Sequence, residues 1–181
     1  MHVSKLALAT LATHAAALTP WDEWEHGRVA LEDVSIHFRY AGHGPPLLLV
    51  HGNPQFSLTW QTIGPLLAEN YTVIAPDNRD AGASSIPPDG NYSATASAGD
   101  LKGVLDFLNI TSTYVFAHDK GVGMAAALAA GKLGMPVLAL GGEASSGIPS
   151  ALRQSYDPVA KDLEIDVIPK AGHWIGESLT L

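Results

Sequence analysis

The stretch TYVFAHDKGVGMAAALAA, residues 113–130, decides the fold. Thr113 to Ala117 is a short run of apolar, aromatic and β-branched side chains, the composition of a strand buried in a sheet. Val122 to Ala130 is rich in Ala, the strongest helix former, and carries Met124 and Leu128. Only His118-Asp119-Lys120-Gly121 separates the two. A buried strand that turns this directly into a helix is one unit of a parallel, helix-covered sheet.

Working outward, the same alternation recurs. Val29-Ala30-Leu31 and Val34 to Tyr40 alternate apolar and polar residues, as an antiparallel pair with one wet face would. Leu47-Leu48-Leu49-Val50 is continuously apolar and suits a strand buried on both faces. A helix is expected over roughly Leu58 to Asn70, then a strand over Tyr71 to Ala75, then a Gly/Pro/Ser/Asp loop over Asp80 to Gly90. Ser93 to Leu108 reads as a helix, and Val137 to Leu140 and Leu163 to Ile168 as two further strands. Active sites in such sheets lie beyond the carboxyl ends of the strands. The residues that follow the strands are His51-Gly52-Asn53-Pro54, Asp77-Asn78-Arg79, His118-Asp119-Lys120-Gly121, Gly142-Glu143 and Ala171-Gly172-His173-Trp174.

The bulk numbers narrow the function. A chain of 181 residues with 46% hydrophobic content supports one domain with a buried core. Its net charge of −8, with ten scattered basic residues, argues against nucleic acid. It has no cysteine, which excludes disulfides, thiolate zinc sites and a cysteine nucleophile. Eight histidines are present, but no pair is spaced one helical turn apart with metal-ligand character, so solvated or hydrogen-bonded histidines are expected. Neither Gly-x-Gly-x-x-Gly after the first buried strand nor a phosphate-binding Gly-Lys-Ser/Thr loop occurs, and no metal or organic cofactor is expected.

At the N-terminus, Met1-His2-Val3-Ser4-Lys5 precedes an apolar stretch from Leu6 to Leu18 that ends near Ala15-Ala16-Ala17. This fits a secretory signal peptide over residues 1–18 and implies a secreted protein. The alternative is an N-terminal amphipathic helix of the mature fold. Either way the segment is too short and too rich in Ala and Thr for stable insertion across a bilayer.

Ala117-His118-Asp119-Lys120-Gly121 has the small-x-nucleophile-x-small spacing of a nucleophile elbow, in which small residues relieve crowding in a strained turn. A carboxylate at its apex can attack carbon and form an ester. The helix N-terminus and the adjacent Lys120 would both keep Asp119 ionised. The bland alternative is that Asp119 caps the helix that follows.

Four motifs together resemble the α/β-hydrolase family that includes epoxide hydrolases and the haloalkane and haloacetate dehalogenases. They are His51-Gly52-Asn53-Pro54, Asp77-Asn78-Arg79-Asp80-Ala81-Gly82-Ala83-Ser84, His118-Asp119-Lys120-Gly121 and Ala171-Gly172-His173-Trp174-Ile175, in the family's order. The resemblance implies an α/β-hydrolase fold over residues 26–181, a mostly parallel sheet with helices on both faces. It implies Asp119 as nucleophile and His173 as the base that activates water. The backbone N–H groups of Asn53 and Lys120 are the implied oxyanion-hole donors. His51, Pro54 and Arg79 are read as scaffold residues that shape these loops.

The family normally inserts a cap and a further core strand where Ala130-Gly131-Lys132-Leu133-Gly134-Met135 here makes a direct join. The chain therefore reads as a shortened version of a longer enzyme, with the cap and one core strand missing. Its triad acid is open: Glu143 is the nearest carboxylate, while Ser145 stands where an Asp is expected. The expected substrate is a small organic electrophile. Epoxide hydrolysis leads, and dehalogenation is the alternative, since Asn53 resembles a halide-contacting Asn and Lys120 stands where haloacetate dehalogenases have Arg. A non-catalytic truncated form is the reading from a different class.

Overall fold

A computed structural model describes residues 18–130 and the backbones of two further strands, 137–142 and 163–168. Seven strands form. β1 (Glu25–Ala30) and β2 (Ser35–Gly42) are antiparallel, with Val29 opposite Ile36. β3 (Pro46–Val50), β4 (Thr72–Pro76) and β5 (Tyr114–Ala117) follow, and the sheet order is β1-β2-β4-β3-β5. β2 pairs antiparallel with β4, whereas β3 lies parallel between β4 and β5. β6 (Val137–Gly142) and β7 (Leu163–Ile168) pair with each other in parallel as a separate two-stranded sheet. Among the described residues β5 is the last strand hydrogen-bonded into the larger sheet.

The unbroken apolar run of β3 follows from burial on both faces. Leu48 and Val50 point with Ile36, Phe38 and Ile74 into one core, closed by α2 (Ala94–Phe107) and α3 (Gly121–Ala130). From those helices come Leu101, Val104, Leu105, Met124 and Leu128. Leu47 and Leu49 point the other way with Val73 and Ala75, under Trp21, Trp24, Trp60 and Ala68. Each fully buried aliphatic side chain contributes on the order of 1.5–3 kcal/mol relative to exposure. Alternation within β3 thus binds a layer to each side of the sheet.

Two elements depart from the sequence expectation. The single helix expected over Leu58 to Asn70 is a 3-10 turn at Ser57–Trp60 followed by a short α1 (Gly64–Leu67). Pro65 has no N–H to donate and disfavours a helical residue before it, so the periodicity of Trp60, Ile63 and Leu67 could not close one continuous helix. β1 begins at Glu25 rather than Val29, because its polar residues occupy the wet face of an edge strand that pairs along its whole length with β2. By contrast α2 lies within the expected span, and the hydroxyl of Ser93 accepts from the Ala96 N–H as its N-cap. Apart from Leu18, the expected signal segment 1–18 lies outside the described residues.

Candidate active site

The carboxyl ends of β3, β4 and β5 bring three of the four motifs together. Between β5 and α3 the chain turns at Asp119, whose φ of 54° lies in the left-handed region that an L residue enters only at a cost. This backbone differs from the extended conformation usual at an N-cap. The turn is locked by bonds from Gly121 N to His118 O at 2.9 Å and from Val122 N to Asp119 O at 3.1 Å. His118 N donates to Val50 O at 3.0 Å, which anchors the elbow to β3. His118 Nδ1 also donates to the side-chain oxygen of Gln55 at 3.3 Å.

Asn53 N donates to Asp119 Oδ1 at 3.0 Å. This joins the loop after β3 to the elbow across 66 residues of sequence. The approach is close because Gly52 has no side chain: a Cβ there would fall on the Cβ and carboxylate of Asp119. The Asn53-Pro54 peptide is cis. Lys120 occupies the turn directly after Asp119 and is exposed. His173 and Glu143, the expected base and the expected acid, lie outside the described residues.

Behind these groups lies a framework that the sequence motifs marked but did not explain. His51 is fully buried. Its Nδ1 bonds the Gly52 carbonyl at 2.8 Å, and its Nε2 accepts from Asn78 N at 2.9 Å. Asn78 Nδ2 donates to the His51 carbonyl at 2.9 Å, so the ends of β3 and β4 are clasped in both directions. Burial pushes the His51 ring below the ordinary histidine value, against the smaller opposing influences of the Gly52 bond and the Asp77 charge.

Asp77 is the second anchor. Its carboxylate accepts from Ser57 N at 2.8 Å, Ala83 N at 2.9 Å and His37 Nδ1 at 2.8 Å. Gly82, with φ 52°, lets the Ala81–Ser84 loop wrap this carboxylate, because a Cβ there would strike it. The His37 Nε2 in turn lies in hydrogen-bond contact with His26 Nδ1 at 2.9 Å. These two histidines are thus hydrogen-bonded residues. Among the described residues no group of three or more His, Cys, Asp or Glu is placed to hold a metal ion.

Burial alone would raise the Asp77 pKa, but the donors from Ala83, Ser57 and His37 outweigh it and hold it below the ordinary carboxylate value. A depressed folded-state pKa contributes stability that is present above the unfolded value, near pH 4, and is lost as pH falls through the lower folded value. Asp77→Asn should therefore cost about 2–3 kcal/mol at pH 7, the range for hydrogen bonds to a charged group. Urea unfolding at pH 7 and at pH 3 checks this. The gap between wild type and variant should narrow at the lower pH, and a gap independent of pH would contradict the assignment.

Comparisons with known proteins identify the family. The chain belongs to the α/β-hydrolase fold family, whose model matches residues 45–140. It is similar to a fluoroacetate dehalogenase from Burkholderia sp., with 39% identity over 105 residues, covering 56% of this chain and 34% of that protein. It is equally similar to an epoxide hydrolase from Caballeronia sordidicola, with 39% identity over 95 residues, covering 51% of this chain and 29% of that protein. Among solved structures, a putative epoxide hydrolase from Pseudomonas aeruginosa superimposes with TM-score 0.62 at 30% identity, over 67% of this chain and 42% of that one. The chain spans about a third of the length of these curated relatives.

Proposed function

We propose that the chain hydrolyses a small organic electrophile through a covalent ester on Asp119. An epoxide is the leading substrate class and a haloacetate or haloalkane the alternative. The observation that carries this reading is the Asn53 N–H held 3.0 Å from Asp119 Oδ1 at the apex of a strand-to-helix elbow. In the first step the other carboxylate oxygen attacks the electrophilic carbon. A carbon–oxygen bond forms, and the C–X or epoxide C–O bond breaks with its electron pair leaving on halide or oxygen. A halide departs without a proton, whereas an epoxide alkoxide takes one from water, and the hydroxide formed is neutralised by the proton released when the ester is hydrolysed.

In the second step water adds to the carboxyl carbon of the ester and gives its proton to the base, assigned to His173. The carbonyl electron pair moves onto Oδ1, where the Asn53 N–H stabilises it, with the Lys120 N–H as the second assigned donor. Collapse expels the alkoxide, which takes the proton back from the base to leave as the alcohol. The new carboxylic acid loses its proton to solvent to restore the carboxylate. Glu143 is the assigned partner that would orient His173.

Peptide mass spectrometry after incubation with 1,2-epoxyhexane or bromoacetate in ¹⁸O-water tests the sequence of events. The Asp119 peptide should gain the alkyl mass and then, after turnover, one ¹⁸O, because water attacks the carboxyl carbon. Asp119→Asn should show neither. A folded wild-type protein without adduct or label would sink the reading. It would favour a second one, a non-catalytic form, which the lack of hydrogen-bonded pairing between β6 and β5 among the described residues supports.

A further inference from the structure

His51 makes no contact with a reacting group in this scheme, yet it is fully buried with both ring nitrogens engaged. The partners fix its chemical form. A carbonyl oxygen only accepts, so the bond to the Gly52 carbonyl requires a proton on Nδ1. A backbone amide only donates, so the bond from Asn78 N requires a bare Nε2. The ring is therefore the neutral Nδ1–H tautomer. Burial, which opposes a charge here, acts in the same sense.

The carbonyl that this proton holds has a particular partner. Gly52 C=O and Asn53 N–H belong to one planar peptide unit, in which the two bonds point in opposite directions when the unit is trans. Among the described residues the peptide bond after Asn53 is the only cis one, so the 52–53 unit is trans. Fixing the Gly52 oxygen on one edge of the plane therefore fixes the direction of the Asn53 N–H on the other. Glycine on the near side imposes little torsional preference of its own. The Gly52 carbonyl also accepts from Gln55 N at 3.2 Å, a longer bond than the 2.8 Å contact with His51.

We propose that His51 is a positioning residue: through the Gly52 carbonyl it sets the plane of the 52–53 peptide and so aims the Asn53 N–H at Asp119 Oδ1. It rests on the ester mechanism for its catalytic meaning, but the aim itself is a property of the resting protein. Because the N–H matters most when Oδ1 becomes an oxyanion, ester hydrolysis depends on His51 more than ester formation does. Its base-like character is unused, since Nε2 is spent on Asn78.

Two substitutions separate aiming from packing. In His51→Asn the side-chain nitrogen takes the position of Nδ1 and keeps a donor for the Gly52 carbonyl, but it loses the Asn78 bond and leaves a void. In His51→Gln the longer amide reaches the position of Nε2 and can accept from Asn78 N, filling more of the space, but it has no donor at Gly52. Packing alone ranks Gln at or above Asn in every property. Aiming reverses that order at the site.

The ¹H–¹⁵N signal of the Asn53 amide is the direct readout, identified by its dependence on the Asp119 carboxylate through Asp119→Asn. His51→Asn should keep the downfield position of this signal and His51→Gln should lose it, even where His51→Gln has the higher urea midpoint. With bromoacetate, the Asp119 ester should persist about 10- to 100-fold longer in His51→Gln and within about threefold of wild type in His51→Asn. Removal of a whole oxyanion-hole donor typically costs about 10²- to 10³-fold. Equal Asn53 signals in the two variants, or signals that follow their stability order, would overturn the inference. So would ring ¹⁵N shifts of wild-type His51 that report Nε2–H or a cation, a measurement that needs no variant. If wild type shows the expected amide pattern but never forms an ester, the aiming stands and the ester mechanism fails.

Discussion

Gly121→Ala should lower the unfolding free energy by about 3 kcal/mol, at the upper end of the cost of overpacking by a single methyl group. A Cβ at this position would meet the carbonyl oxygen of His51 at 2.7 Å, and that of Val50 closer still. Both are backbone atoms, so no side-chain rotation relieves the clash. Val50 O already accepts from His118 N at 3.0 Å, and Val50 lies opposite Ala117 in the β3–β5 ladder. The remaining relief is to draw the start of α3 away from β3, which moves Asp119 away from Asn53 as well. Against a typical domain stability of about 5–15 kcal/mol, such a loss is severe. Urea unfolding followed by circular dichroism measures it, and a change below about 0.5 kcal/mol, the range of an ordinary surface substitution, would mean that the elbow is looser than drawn.

Asp100→Ala should cost about 3–5 kcal/mol, the range for removing one partner of a buried ion pair. Arg79 Nε and Nη2 meet Asp100 Oδ2 and Oδ1 at 2.7 and 2.8 Å, a bidentate fork whose two side chains are only 4% and 6% exposed. Arg79 Nη1 also donates to Asn91 O at 2.6 Å, so one guanidinium ties the end of β4 to α2 and to the loop before it. Removing the carboxylate leaves that guanidinium buried with the more distant Asp33, at 3.7 Å and 38% exposed, as its remaining ion-pair partner. The double variant Arg79→Met, Asp100→Leu should recover much of the loss, because an apolar pair of similar volume often replaces a buried ion pair at little cost. A double variant less stable than Asp100→Ala alone would show that the Asn91 bond, rather than the ion pair, sustains the loop.

Much of this architecture could be read from local patterns. Leu47 to Val50 announced a strand covered on both faces, and the five-residue elbow announced the turn because its spacing is a steric requirement rather than a preference. What escaped was non-local. Nothing in the sequence around Pro65 says whether a proline starts a helix or breaks one; the register of Trp60 against Phe116 across the sheet, with ring centroids 5.4 Å apart, belongs to tertiary packing. Asp77 and Asn78 were visible as part of a motif, but their partners Ser57, Ala83 and His51 lie 20, 6 and 27 residues away, where no periodicity points. For the same reason the site is legible as far as Asp119 and Asn53, whose glycine neighbours betray a close approach.

Three of the four tryptophans, Trp21, Trp24 and Trp60, stand in the cluster on one side of the sheet. The two longest described helices, α2 and α3, close the opposite side. The two common optical signals therefore look at different layers of the molecule: indole emission is weighted to the 3-10 and α1 side, and ellipticity to the α2–α3 side. Coincident transitions mean that β3 and β4, which both carry consecutive side chains into the two layers, transmit unfolding from one to the other. A lag between the two curves would locate the weaker layer without any labelling.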